Sequence, residues 1–299
     1  MSDIKLFQIA NKKVTELEGK SVTIEKSLQS LIEQHLETFL GVTFLATEYS
    51  TGAKHLGRID TLGIDENNCP VIIEYKRSTN ENVINQGLYY LDWLLDHKSE
   101  YQLMVMHKLG KSLVDKIEWD NARLICIAGD FTKYDGHAVA QITRNIELIR
   151  YKRYKDLLLL ELVNAVSEPK IRSTKPPATT KYKSVSEHLK MASQNIKDIF
   201  ETLSAYLLAL GDDVQFKELY YYFAFKRIKN FVTIIVHPKS ESMLLYIKLD
   251  PKTIKLEKGF TRDVSKIGHQ GIGDLEITIK SMDDLEKAKP IILKSYEMS

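Results

Sequence analysis

Apolar positions along this chain change their spacing several times, and each change predicts an element. Leu28, Leu31, Ile32, Leu36 and Leu40 recur at helical steps. They predict a helix from about Glu25 to Leu40, with Ser21 or Thr23 as its cap and Gly41 as its stop. Residues 1–20 read as a short strand and a turn ending at Gly19, and Val42–Tyr49 as a further strand. Two strands, Leu56–Ile64 and Pro70–Tyr75, flank the polar turn Asp65-Glu66-Asn67-Asn68, and Val71-Ile72-Ile73 is β-branched as buried strands are. Val83, Ile84, Leu88, Leu91, Leu94 and Leu95 line a helix predicted over Asn80–His97, capped by Thr79 or Asn80 with Glu81 in its first turn. Ser99–Gly110 fits a strand or a helix. Arg123–Ala128 is a buried strand, followed by a helix near Thr132–Ile142 and strands at Ile146–Tyr151 and Leu157–Val163.

The pattern then breaks. Residues 167–184, SEPKIRSTKPPATTKYKS, hold three of the seven prolines and five Lys/Arg against one Glu. This composition predicts an extended tether, whose basic character could add attraction for phosphate. Beyond it a helix is predicted from Val185 to Leu210, ended by Gly211. Strands follow at Phe216–Phe225, Phe231–His237, Met243–Leu249 and Leu275–Ile279, with Glu257–Gly268 irregular between the last two. Ser281 caps a final helix, Met282–Tyr296. The order predicts an α/β domain over 1–165 with a central mixed sheet flanked by helices, a basic proline-containing linker over 166–184, and a smaller α+β domain over 185–299.

With 299 residues and 43% hydrophobic content, the chain can bury two cores. A net charge of +2 excludes a global polycation, so any nucleic-acid surface must be local. The two cysteines, Cys69 and Cys126, form no C-x-x-C, which argues against a disulfide framework or a zinc site and fits a reducing cytoplasm. No apolar run reaches the ~20 residues that span a bilayer, so no membrane partner is expected. The start, MSDIKLFQIANKK, has no apolar signal-peptide core.

Candidate chemistry lies in the central hairpin. It places Asp60 on one strand and Glu74 and Lys76 on the other, and residues two apart on a strand share a face. Buried charges are costly unless paired or bound to metal. Asp60, Glu74, the main-chain carbonyl between Glu74 and Lys76, and waters make an oxygen shell of the kind that Mg²⁺ and Mn²⁺ prefer. Lys76 beside such a shell could orient a water and stabilise developing charge, which is the equipment for phosphodiester hydrolysis. A structural ion pair is the plainer alternative. Arg58 could contact phosphate, neutralise a carboxylate, or be an ordinary edge-strand arginine.

The set Gly57-Arg58-Ile59-Asp60, Glu74-x-Lys76 resembles the core of the PD-(D/E)XK nuclease superfamily. It is most similar to the catalytic domain of NucS-type, EndoMS-like DNA endonucleases. That family places a glutamate on the preceding helix and Q-x-x-x-Y on the following one, matched here by Glu33 and by Gln86 and Tyr90. The resemblance covers roughly residues 20–110. It implies a restriction-endonuclease-like core and a metal-dependent DNA endonuclease acting in repair or in defence against foreign DNA. Asp60 and Glu74 would be Mg²⁺ or Mn²⁺ ligands with Glu33 assisting, Lys76 would orient the water, and Gln86 and Tyr90 would position water and phosphate. Enzymes that cut both strands often pair, so a homodimer is an expectation too. No counterpart of the N-terminal DNA-binding domain of NucS is expected, and a different C-terminal domain follows, so substrate preference does not carry over. A non-catalytic module that keeps the scaffold to bind nucleic acid or protein is the rival.

Outside the core, Tyr220–Lys229 interleaves aromatics with Lys226, Arg227 and Lys229, and could stack bases and grip phosphates. Core aromatics beside solvated cations are the alternative. His269 among Gly268, Gly271 and Gly273 is too irregular for a phosphate-binding loop. The region from 185 onward, RDVSKIGHQGIGDLEI included, resembles an uncharacterised domain found fused to nuclease-like modules, a kinship that assigns no chemistry.

Overall fold

The computed structural model describes residues 4–19, 25–76, 83–166 and 183–299. The proposed caps at Ser21, Thr23, Thr79 and Asn80, Glu81 in the second helix's first turn, and nearly all of the basic linker lie outside these residues. The chain divides into two compact units, one within 1–65 and 69–166, the other within 66–68 and 167–299.

The first unit opens with a hairpin, β1 (Leu6–Ala10) and β2 (Lys13–Leu17). The helix expected to run unbroken to Leu40 is two, α1 (Glu25–Gln34) and α2 (Leu36–Leu40), because the backbone of His35 leaves helical geometry at ψ 32°. Gly41, at φ 63°, ends α2 in the left-handed conformation that glycine adopts without strain. Next come β3 (Val42–Ser50), a single turn α3 (Gly52–His55), β4 (Arg58–Asp65) and β5 (Pro70–Lys76). The ambiguous stretch after α4 (Val83–Asp96) is helical: α5 (Lys98–Leu109), then α6 (Lys111–Val114). The unit closes with β6 (Arg123–Ala128), α7 (Lys133–Ala140), β7 (Asn145–Tyr154) and β8 (Leu157–Val166).

β3 to β8 form one six-stranded sheet in chain order. β5, β6 and β7 run parallel to their neighbours in that trio, and the outer pairings are antiparallel. The parallel step from β5 to β6 needs a crossover, which α4 to α6 supply. Ile72, Leu124 and Leu148 pack on α4 through Val83, Leu91 and Leu94, and this buried layer fixes which side of β5 faces the helix. Arg123 joins Asp65 at 2.7 Å and Glu147 at 2.8 Å, all buried, tying β4, β6 and β7 at one end of the sheet.

The second unit contains α8 (Val185–Met191), α9 (Gln194–Leu208), β9 (Gln215–Glu218), β10 (Phe223–Lys226), β11 (Asn230–His237), β12 (Ser242–Ile247), β13 (Thr261–Asp263), β14 (Leu275–Ile279) and α10 (Met282–Glu297). The single long helix predicted here is again two, since Ala192 and Ser193 are extended at ψ 157° and 159°. The predicted strand Phe216–Phe225 is likewise a pair, β9 and β10, joined by a turn through Leu219 and Tyr222. The strands form an antiparallel sheet in the order β13-β14-β12-β11-β10-β9, with α9 and α10 packed on the face that carries Phe225, Ile234, Leu245 and Ile277. The fold is thus mixed α/β, with a six-stranded mixed sheet flanked by helices and a second antiparallel sheet.

Candidate active site

Paired residues of β4 and β5 run from Ile64↔Pro70 to Thr61↔Ile73. Beyond that point two carboxylates take over the backbone donors. The N–H of Asp60 donates to Glu74 Oε1 at 3.2 Å, and the N–H of Tyr75 donates to Asp60 Oδ2 at 3.0 Å. Both acids therefore sit together where the two strands part. Glu74 follows Ile72 by two residues, so it shares the face packed on α4. It is fully buried, and among the described residues its Oε2 has no hydrogen-bond partner.

The electrostatics follow from that position. Burial, and then the neighbouring Asp60 charge, push the Glu74 carboxyl up to about 9. Burial also raises Asp60, with Glu48 adding repulsion, while the Tyr75 N–H and the Lys76 ammonium pull it back. The same ammonium opposes the rise at Glu74. Lys76 thus lies near both acids, as its two-residue spacing from Glu74 predicts. Two adjacent acids, one with a dry, unpartnered oxygen, form a strained donor set that a divalent cation would relieve. Asp60 and Glu74 are oxygen donors of the kind such an ion takes, and they are the residues that would hold it. Among the described residues no group of three or more His, Cys, Asp or Glu side chains gathers around one point.

Asp60, but not the fully buried Glu74, lines an open cleft of about 830 Å³, together with Lys76, Gln86, Tyr90, Arg58 and Gln29 among others. Gln86 and Tyr90 do share a face of α4, and the Gln86 amide donates to the Tyr90 hydroxyl at 3.1 Å. That hydroxyl also accepts the Arg58 N–H at 3.2 Å, so Tyr90 holds the start of β4 in place. Gly57 is the consequence: a Cβ there would come 2.5 Å from the Tyr90 ring. Thr51 completes the clasp, exchanging main-chain and side-chain bonds with Gly57 at 3.0 and 2.9 Å.

Glu33 does not take the role expected of it. Its carboxylate accepts from Thr61 Oγ1 at 2.6 Å and from Gln29 at 3.0 Å, and it is not among the residues lining the cleft. Thr61 is one residue from Asp60 on β4, so its side chain lies on the opposite face of the sheet. The glutamine one turn earlier on α1 reaches the site instead, with the Gln29 amide 2.8 Å from the Asp60 carbonyl. The four-residue step between Gln29 and Glu33 puts them on one face of α1, but it does not decide which of them meets Asp60. Glu48 was also missed. It lies between Thr47↔Thr61 and Tyr49↔Ile59 in the β3–β4 register, hence alongside Asp60, and alternation along β3 was the available signal.

The basic run in the second unit is corrected as well. Lys226 is 2% exposed. Arg227 binds Asp213 at 2.6 Å and lies 4.8 Å from the centre of the Tyr296 ring. Lys229 is half-buried, and Phe223 and Phe225 are core. Phe223 and Phe225 pack inward from one face of β10, so at these two positions the alternation that looked like a stacking platform is that of an ordinary sheet. Cys69 and Cys126 are both buried and neither forms a disulfide. No helix of the described residues is long and apolar enough to cross a membrane.

Comparison with known proteins adds three findings. Residues 185–299 match a domain of unknown function, DUF5655. Over 306 aligned residues the chain is 28% identical to an uncharacterized protein of Haemophilus influenzae (strain ATCC 51907 / DSM 11121 / KW20 / Rd), covering 98% of this chain and 100% of that one. A solved structure of an EndoMS–double-stranded DNA complex aligns with 20% identity and a TM-score of 0.26, covering 44% of this chain and 47% of that chain.

Proposed function

We propose that this chain is a metal-dependent DNA endonuclease whose catalytic centre is the β4–β5 end of the first sheet. One observation carries the reading: the buried Glu74 Oε2, which has no hydrogen-bond partner among the described residues, lies beside Asp60 with the Lys76 ammonium near both, and Asp60 and Lys76 line an open polar cleft. Asp60 and Glu74 would hold Mg²⁺ or Mn²⁺. When bound, the ion would supply Lewis-acid polarisation of a phosphoryl oxygen and a water of lowered pKa. Lys76 would orient the attacking water and stabilise charge as it develops on the phosphate. Gln86, fixed through Tyr90, presents its amide to water or phosphate at the cleft wall. The water oxygen bonds to phosphorus as the bond to the leaving sugar oxygen breaks, and no covalent enzyme intermediate is needed.

DNA is the partner this chemistry addresses, and two copies of the chain would match two strands. Repair or defence against foreign DNA is the setting, in the cytoplasm. The turn of Glu33 toward Thr61 favours the rival, a binding module that has retired its chemistry. The two separate in one assay. Supercoiled, linear duplex, single-stranded and mismatched DNA are incubated with Mg²⁺ or Mn²⁺ and with the wild type, Asp60→Ala, Glu74→Ala or Lys76→Ala. The proposal expects cleavage by the wild type and a loss of at least ~100-fold in each variant. Equal activity in all four proteins, or none in any, refutes it.

A further inference from the structure

One carboxylate at the cleft is not explained by the proposed chemistry. Glu48 is a non-glycine residue at φ 51°, a backbone conformation that side chains rarely adopt and that costs energy. Its two oxygens are each taken by a different cation. Lys26 Nζ lies 2.8 Å from Oε1, and Arg58 Nε lies 2.5 Å from Oε2. The cations come from separate elements, α1 and β4, and the side chains of both are more than half exposed, at 58% and 67%, while Glu48 is 26% exposed. All three line the cleft that holds Asp60 and Lys76. The Lys26 hydrogen bond is the leading influence holding the Glu48 carboxyl below its ordinary range, so it stays a charged bridge at neutral pH.

A carboxylate that joins an ammonium and a guanidinium through separate oxygens is arranged as a phosphodiester would be, since a phosphate also offers two oxygens to two donors. We infer that Lys26 and Arg58 form a clamp for a DNA backbone phosphate at the cleft mouth, and that Glu48 occupies this clamp as an internal stand-in which the substrate must displace. The inference rests on the nuclease reading for the identity of the substrate, and it adds a binding subsite and a built-in competitor. Lys26 and Glu48 belong to no motif of the hairpin. Glu48 keeps the two cations together and ready, and it also sets a threshold: an anion that engages only one of them does not free the pair. Exposed ion pairs are weak, so displacement by a strong bidentate anion is within reach.

The test is binding without cleavage. A labelled 20-base-pair duplex is titrated with the full chain in EDTA over a range of salt concentrations, using the wild type, Lys26→Ala, Arg58→Ala, Glu48→Gln and Glu48→Gly. Glycine suits φ 51° and removes the carboxylate, so it stands in should glutamine disturb the strand. Both Glu48 variants are expected to bind about fivefold tighter, the equivalent of two exposed ion pairs no longer in competition. Lys26→Ala and Arg58→Ala are each expected to weaken binding and to reduce the slope of log K against log salt by about 0.9, one phosphate contact apiece. If both Glu48 variants bind no tighter, or if neither cation variant changes the slope, the clamp is overturned while the catalytic reading stands. If the wild type binds no DNA, clamp and nuclease reading fall together. If the variants behave as expected but Mn²⁺ yields no cleavage, the clamp is supported and only the catalysis is lost.

Discussion

Replacing Glu74 by glutamine tests the physical core of the site without any assumption about substrate. Burial and Asp60 move the Glu74 carboxyl from 4.5 to about 9. Between those values the folded protein holds a proton that the unfolded chain has released. Stability is therefore highest below the lower value and falls as pH rises toward the upper one. Each pH unit in that window costs up to about 1.4 kcal/mol, so from pH 6 to 8 the wild type should lose up to about 3 kcal/mol. Asp60, raised in the same sense, adds to the slope at the acid end. Glutamine keeps the shape and the acceptor for the Asp60 N–H, carries no charge, and can donate to the Asp60 carboxylate. In EDTA, Glu74→Gln should be the more stable protein at pH 8, by a few kcal/mol, with a much flatter pH dependence. Denaturant titration read by tryptophan fluorescence suits the purpose, because Trp93 and Trp119 both lie in the first unit. Added Mn²⁺ should stabilise the wild type in proportion to RT ln(1 + [Mn²⁺]/Kd) and leave the variant nearly unchanged. A variant that is less stable than the wild type at pH 8, with the same slope, would refute the claim that a destabilised carboxyl sits at this point.

Other perturbations have equally definite outcomes. Gly57→Ala pushes a methyl group against the Tyr90 ring, and should lower the melting midpoint of the first unit and reduce cleavage together, by about 1–3 kcal/mol in stability. Arg123→Met leaves Asp65 and Glu147 as buried carboxylates without their cation, and should cost about 3–5 kcal/mol in a denaturant titration. Glu33→Gln keeps a partner for Thr61 and lies off the cleft, so it should reduce cleavage far less than Asp60→Ala does. Arg227→Ala breaks the bond to Asp213, and should destabilise the second unit while leaving duplex affinity and its salt slope unchanged.

Sequence by itself settled the parts that depend on local geometry. Two-residue alternation put Glu74 and Lys76 on one side of β5, and the β-branched run before them made that strand interior. Three- and four-residue steps put Gln86 with Tyr90 on α4. These periods hold wherever the elements pack. Helix breaks at His35 and Ala192 were not visible, because one or two residues outside helical geometry leave the apolar spacing nearly intact.

What the tertiary structure alone decided was which neighbours each side chain met. Register between β3 and β4 set Glu48 alongside Asp60, and the seating of α1 on the sheet gave Gln29 the Asp60 carbonyl while sending Glu33 to Thr61. Sheet formation around β10 closed Lys226 away from solvent. Composition marks a residue as ionisable; only the packing of elements distant in sequence determines whether its oxygens find partners or, as at Glu74 Oε2, none among the described residues.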